Sequence, residues 1–298
     1  MPAHETFSVS SETLARQLGL RRSGRRYIGA CPACGYSNSF VVCDGADHPL
    51  VFCHACQDTD AVILAIRRRG LWQHGADTDQ SKLVQMQPRE LSRAGLKARE
   101  LWIQAAAAKG TLVDIYLRSR GIVAQIPPTL RFLSLAKHSP SNQLLPAMIA
   151  AVTVWPERRP CAVHRTFLAG DGNGKAVVDT PRMTLGSCRR GAVRLAEAAD
   201  LLLVGEGIET CLAAMQATGQ PAWAALSTAG LRNLEIPEQV KEVVVLADGD
   251  LPGEEATQYA ARRWVREGRR VRIARPPKGQ DFNDLLLHGA DTAAGRSS

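Results

Sequence analysis

No apolar run in these 298 residues is long enough to span a membrane as a helix. The longest, residues 147–155 (AMIAAVTVW), has the length of a strand. The first twenty residues lack a basic start and an apolar core, so they do not read as a signal peptide. A complete phosphate loop is also missing. The string from Gly170 to Ala176 (GDGNGKA) is one residue short and carries Ala176 where a Ser or Thr must meet Mg²⁺. Gly205-x-Gly207 is only a fragment of a dinucleotide fingerprint. No ATPase or helicase engine is therefore expected. These absences predict a cytoplasmic chain with no membrane partner. Cysteines there stay reduced, so paired Cys motifs read as metal ligands before disulfides.

What is present suits two or three compact units, with 45% hydrophobic residues to fill their cores. The formal charge is +8, and the basic residues cluster at 21–26, 67–69 and 262–275. Such an excess fits a nucleic-acid or nucleotide partner. Any one cluster alone reads more simply as a solvated helix face.

Four cysteines stand in matched pairs. Cys31-x2-Cys34 is followed after eighteen residues by Cys53-x2-Cys56. Each knuckle brings two thiolates to one ion, and two knuckles complete a tetrahedral Zn²⁺ site. Four protein thiolates leave no open position, so this site would be structural. Cys43, His48 and His54 remain as alternative ligands. Residues 40–45 and 49–56 read as the short strands of a ribbon. Ahead of them a helix starts from Ser10 or Ser11 as N-cap and ends near Gly19. Behind them a helix starts near Asp58 or Asp60, with Val62, Ile63 and Ile66 on its apolar face and Arg67 to Arg69 at its end. Tyr27, Tyr36, Phe40 and Phe52 could stack on bases, although ribbon aromatics are more often core.

Residues 73–95 are polar and aperiodic and read as a linker. A helix is expected over 96–110. Residues 145–195 read as an antiparallel β unit with Asp171 to Gly174 as a hairpin turn. His164, Arg165 and Thr166 fall on its second strand, and Arg182 and Arg194 follow. Any single arginine there reads as a solvated strand face, and His164 equally as a buried structural residue.

The last third alternates strand and helix: strands at 200–205, 221–226, 242–247 and 270–275, helices at 208–218, 229–234, 253–267 and 282–288. That order predicts one parallel sheet. Its apolar strands end in acid. The first delivers Glu206, the third delivers Asp248 and Asp250, and Asp281 and Asp284 follow the fourth. In open α/β sheets the carboxyl ends of the strands form the ligand crevice. Asp248 and Asp250, two apart, point to one side of an extended chain. Such a pocket of hard oxygens suits Mg²⁺ or Mn²⁺. Asp281 and Asp284 also suit a helix N-terminus, so each is a ligand or a cap. Lys278 would touch phosphate or belong to an ordinary loop.

Over residues 197–290 this order of strand–Glu–Gly, strand–Asp-x-Asp and late acids resembles the Toprim domain of primases, topoisomerases and some nucleases. Residues 10–70 resemble the N-terminal zinc module of primases. The four cysteines depart from bacterial replicative primases, which carry a His ligand, and look closer to phage-type primases. The string from Tyr116 to Ile122 (YLRSRGI) resembles a segment of primase cores. The resemblance implies an α/β Toprim (Rossmann-like) catalytic domain at 196–291. Ahead of it would lie an α+β subdomain at 110–195, a linker and helix at 71–109 and a β zinc ribbon at 1–70, with a tail at 292–298.

It further implies a phage- or plasmid-type DNA primase, making short RNA primers on single-stranded DNA from nucleoside triphosphates. Catalysis would fall to Glu206, Asp248 and Asp250, with Asp281 completing the metal site. Arg165, Arg182 and Lys278 would bind nucleotide. A replicative helicase would act in trans. The rival readings are a Toprim nuclease using the same carboxylates and a non-catalytic DNA-binding adaptor of a mobile element. A topoisomerase is disfavoured, because Tyr27, Tyr36, Tyr116 and Tyr259 have no companion strand-passage domain.

Overall fold

The computed structural model describes residues 10–33, 35, 37–45, 48–54, 59–72, 91–247, 251–277 and 282. The chain divides into two compact units, Met1–Glu90 and Leu91–Ser298.

In the first unit, helix α1 (Ser11–Gln17) starts where the Ser10 hydroxyl accepts the Thr13 amide at 3.1 Å. Strands β1 (Arg21–Ser23), β2 (Arg26–Gly29), β3 (Phe40–Cys43) and β4 (Leu50–Cys53) follow as an antiparallel meander in chain order. Helix α2 (Thr59–Arg68) closes the unit. The period-two alternation of β3 and β4 sends Phe40, Val42, Val51 and Cys53 inward. Leu14, Val62 and Ile66 are buried as well. Arg67, Arg68 and Arg69 at the end of α2 are exposed, as are the arginines of the β1–β2 hairpin.

The second unit holds two sheets. The first is antiparallel in chain order: β5 (Ala106–Ala107), β6 (Leu130–His138), β7 (Gln143–Val152), β8 (Ala162–Phe167) and β9 (Arg182–Gly186). Helix α3 (Arg93–Gln104), capped by Ser92, covers one face, where Ala98 meets Ala147, Ile149, Val163 and Phe167. The helix read over 96–110 stops short because Ala106 and Ala107 pair with Phe132 and Arg131. An alanine run favours helix, but strand pairing overrides that weak preference. Helix α4 (Leu112–Ser119) lies on the other face with Met148, Ala150 and Val152.

The second sheet has the order β10-β12-β11-β13-β14, from β10 (Val193–Arg194), β11 (Leu201–Gly205), β12 (Ala222–Ala224), β13 (Glu242–Leu246) and β14 (Arg270–Ala274). The last four run parallel, and β10 is an antiparallel edge. Residues 193–194, read from sequence as part of the antiparallel unit, thus leave it for this sheet. Helix α5 (Ile208–Thr218) packs on one face, and α6 (Thr228–Asn233) and α7 (Leu251–Arg266) pack on the other. The strands alternate accordingly. Leu202, Val204, Val243 and Val245 face α6 and α7, while Leu203 and Leu246 face α5.

One core cluster joins the two sheets. It runs from Met148, Ala150 and Val152 of the antiparallel sheet to Leu203, Cys211, Ala222 and Leu246 of the parallel one. Residues 91 onward therefore share a core across the expected boundary at 195. Among the described residues, no helix is long and apolar enough to cross a membrane.

Candidate active site

Strand order creates the crevice. From β11 the chain passes through α5 to β12 on one side, then returns through α6 to β13 on the other. Ligands bind at such a switch point, outside the carboxyl ends of the strands. Gly205 pairs with Leu246, so β11 and β13 end side by side. Glu206 is the next residue on one strand; Ala247, then Asp248 and Asp250 in sequence, follow on the other. Glu206 is half-buried, and its carbonyl accepts the Leu226 amide at 2.9 Å. Asp248, Asp250, Asp281, Asp284 and Lys278 lie outside the described residues, as does the expected helix at 282–288 apart from Phe282.

Sequence reasoning missed Glu209. It sits in the first turn of α5 and is 7% exposed. The Tyr116 hydroxyl of α4 donates to its Oε1 at 2.5 Å, and Lys175 Nζ stands 3.6 Å from the same oxygen. Burial pushes the Glu209 carboxyl up. The Lys175 ammonium, the Tyr116 hydroxyl, its own backbone amide and Arg182 outweigh that, so the net shift is down and the group is ionised. Tyr116 moves up, through burial first and then through the Glu209 charge. An acid in a first helical turn ordinarily reads as a response to the helix dipole. Its partner lies 93 residues away, which no local pattern could reveal.

Register explains what faces Glu209. His164 pairs with Thr184 and Thr166 with Arg182, so these four side chains share one face of the β8–β9 ladder. Arg182 acts electrostatically on both Glu209 and His164, and the Glu209 charge acts on His164. His164 is held neutral, its pKa pushed down to about 4, by burial first and by Arg182, Arg165 and Lys175, against the pull of Glu209. Lys175 reaches the carboxylate from the hairpin, where Leu168 bridges Lys175. The turn expected at Asp171 to Gly174 forms, with the Ala169 amide bonded to Gly174.

Arg165 goes the other way. It pairs with Ile149 and Met183 and turns to the α3 side, with its guanidinium 5.7 Å from the Phe167 ring centre. It is buried and donates to the Lys137 carbonyl at 3.2 Å. Arg194 also stands apart. It stands beside the Trp155 and Trp223 rings, 5.8 and 5.6 Å from their centres, and donates to the Glu157 carbonyl. The structure thus gathers Arg182 with Glu209 and leaves Arg165 and Arg194 in packing positions.

In the first unit, Phe40 pairs with Gly29 on one side and with Cys53 on the other. Cys31, two residues beyond Gly29, and Cys53 therefore emerge at one end of the sheet, and both are buried. Cys43 pairs with Arg26 and Leu50 at the opposite end, and His48 precedes Leu50 there. Of the alternative ligands, only His54 adjoins Cys53. Cys34 and Cys56 lie outside the described residues. Among the described residues no three His, Cys, Asp or Glu side chains gather as a metal group. That set contains two of the four proposed zinc ligands and one of the four proposed magnesium ligands.

Comparison with known proteins gives two family matches. Residues 201–291 match the Toprim domain. Residues 92–195 match a family described as "Domain of unknown function (DUF7146)". None of the curated proteins matches the sequence. Among solved structures, the zinc-binding and RNA polymerase domains of Aquifex aeolicus primase are similar, with 15% identity, 97% of this chain and 85% of that chain covered, and a TM-score of 0.39. The RNA polymerase domain of Mycobacterium tuberculosis primase DnaG in complex with double-stranded DNA is similar too. There the identity is 15%, coverage is 67% of this chain and 77% of that chain, and the TM-score is 0.42.

Proposed function

We propose that this chain is a DNA primase of phage or plasmid type, a metal-dependent nucleotidyltransferase that makes short RNA primers on single-stranded DNA. The observation that carries the reading is the switch-point crevice. Glu206 ends β11 beside β13, whose chain continues into Asp248 and Asp250. The match of residues 201–291 to the Toprim domain supports it.

The donor chemistry fits a divalent cation, since carboxylates at strand ends suit Mg²⁺ or Mn²⁺. Glu206, Asp248, Asp250 and Asp281 would hold it. Bound there, such an ion neutralises phosphate charge and acidifies the attacking hydroxyl. Glu206 would either share the metal site or act as general acid/base. Arg182, exposed on β9, supplies positive charge for a triphosphate. Lys278 adds to it from the last loop.

Cys31, Cys34, Cys53 and Cys56 would hold a structural Zn²⁺. The placement of Cys31 and Cys53 at one sheet end favours this set over one using Cys43 or His48. The exposed arginines at 21–26 and 67–69 would bind template phosphates, with affinity that falls as salt rises. A replicative helicase would be met in trans.

The test is incorporation of a radiolabelled nucleoside triphosphate on single-stranded DNA, with and without Mg²⁺. Primers that appear only with metal and all four nucleotides support the reading. Template cleavage without nucleotides would indicate a Toprim nuclease instead. Template binding with neither activity would indicate a DNA-binding adaptor.

A further inference from the structure

We propose that Glu209 is a positioning residue, whose bond to Tyr116 fixes the turn that carries Glu206 into the crevice. The inference rests on the metal site proposed above. Helix α5 begins at Gly207, which has no side chain to cap the helix. On one side the turn is pinned by backbone: the Ala225 amide donates to Gly205 at 2.8 Å and the Leu226 amide to Glu206 at 2.9 Å. On the other side the described contacts run through the Glu209 side chain, to Tyr116 of α4 and Lys175 of the hairpin. Glu206 and Glu209 are three residues apart at a helix start, so they share a region. A second carboxylate there would repel metal-binding acids if left bare. Lys175 and Tyr116 neutralise and orient it, and both come from residues ahead of the parallel sheet. The antiparallel unit thereby sets where Glu206 stands, besides presenting Arg182.

Gln216 on the same helix offers a control. Its Oε1 accepts the Val123 and Ala124 amides at 2.7 and 2.9 Å, and its Nε2 donates to the Gly121 carbonyl at 3.0 Å. This second bridge ties the far part of α5 to the chain after α4 and does not touch the turn at 205–209.

The experiment compares Tyr116→Phe, Glu209→Met and Gln216→Ala with the wild-type chain. Mn²⁺ affinity is measured by electron paramagnetic resonance without nucleotide, alongside kcat and KM for nucleotide incorporation and thermal unfolding. Tyr116→Phe keeps the ring and removes only the donor. Glu209→Met keeps the length of the side chain and removes both the acceptor and the charge. Both are expected to weaken Mn²⁺ binding about tenfold and lower kcat about as much, with KM for nucleotide little changed. Gln216→Ala is expected to lower the unfolding temperature and leave Mn²⁺ affinity unchanged.

Wild-type Mn²⁺ affinity in either folded variant of the Tyr116–Glu209 pair overturns the proposal. So does an equal loss in Gln216→Ala, which would mean general loosening. If one variant of the pair fails to fold, the other decides. A wild-type chain that binds Mn²⁺ but incorporates no nucleotide defeats primer synthesis alone, and the Mn²⁺ titration still decides the role of Glu209. A wild-type chain that binds no Mn²⁺ overturns the positioning role.

Discussion

Gly230 lies so close to Ala225 that a Cβ built on it would stand 1.9 Å from the Ala225 carbonyl oxygen. The obstacle is backbone, which cannot swing aside as a long side chain can. Gly230 also donates its amide to the Ser227 hydroxyl that caps α6, so it cannot retreat without losing the cap. Gly230→Ala should therefore destabilise the chain by about 1–3 kcal/mol, the usual cost of overpacking. Gly170→Ala is the comparison, since nothing lies within 4 Å of its Cβ position. It should change stability by less than about 0.5 kcal/mol. Urea unfolding of both variants checks this. Because Ala225 and Leu226 bond the carbonyls of Gly205 and Glu206, Gly230→Ala should also reduce activity.

The carboxylates give a second expectation. Glu206→Gln, Asp248→Asn and Asp250→Asn should each abolish nucleotide incorporation while the fold persists. Each replacement keeps size and removes charge. Clustered acids repel one another when no metal is bound, so thermal stability should stay equal or rise slightly. Activity should fall by orders of magnitude, because metal-held charge is a principal catalytic contribution. Asp284→Asn should be milder if that residue only caps a helix. Priming and thermal unfolding, with and without Mg²⁺, check all four. Near wild-type priming by Asp248→Asn would remove the catalytic assignment.

Much of the parallel sheet was legible because its strands are short apolar runs ended by acid. The run from Leu201 to Gly205 and that from Glu242 to Leu246 lie where the pattern put them, and α5 matches the helix expected at 208–218. The cap at Ser10 and the apolar face of α2 were legible for the same local reason. Pairing between distant segments was not. Val193 and Arg194 have no local mark that assigns them to the second sheet, since their partners are Ala224 and Trp223. The side of the sheet taken by Arg165 depends on register, which a one-residue slip would invert. Glu209 carries no local mark that sets it apart from any other acid in a first helical turn, because its partners Tyr116 and Lys175 are distant in sequence.

The zinc site gives a third expectation. Purified protein should carry one Zn²⁺ per chain, and Cys53→Ser should release it and unfold the first unit. Cys43→Ser should keep the metal, since Cys43 lies at the other sheet end. The unit Leu91–Ser298 has its own core, so its unfolding transition should persist in Cys53→Ser. Metal analysis and thermal unfolding together check this. Zinc-free protein with a folded first unit would sink the assignment.

His164 makes stability depend on pH in a direction that can be worked out. Its folded pKa is pushed from 6.5 down to about 4, by burial first and then by Arg182, Arg165 and Lys175, with Glu209 opposing. The unfolded chain therefore binds a proton between pH 6.5 and about 4 that the folded chain refuses. Acid thus favours the unfolded state, and stability is lost as pH falls through that window. The loss from this one residue is at most about 3 kcal/mol, and less where the half-buried ring keeps contact with water. Glu209 adds to it at lower pH. Its carboxyl is held below the usual range, so its contribution is present above the unfolded pKa and disappears as pH falls through the folded one. His164→Gln carries no titrating group and can still meet the Thr184 hydroxyl that lies 3.4 Å from Nδ1. Its stability should be flatter than wild type from pH 6.5 to about pH 4 and should still fall in acid as Glu209, held below the usual carboxylate range, loses its charge. Urea midpoints for both proteins across about pH 3–7.5 decide it, roughly a unit beyond the window at each end. Parallel pH profiles would mean that His164 is not buried in its neutral form.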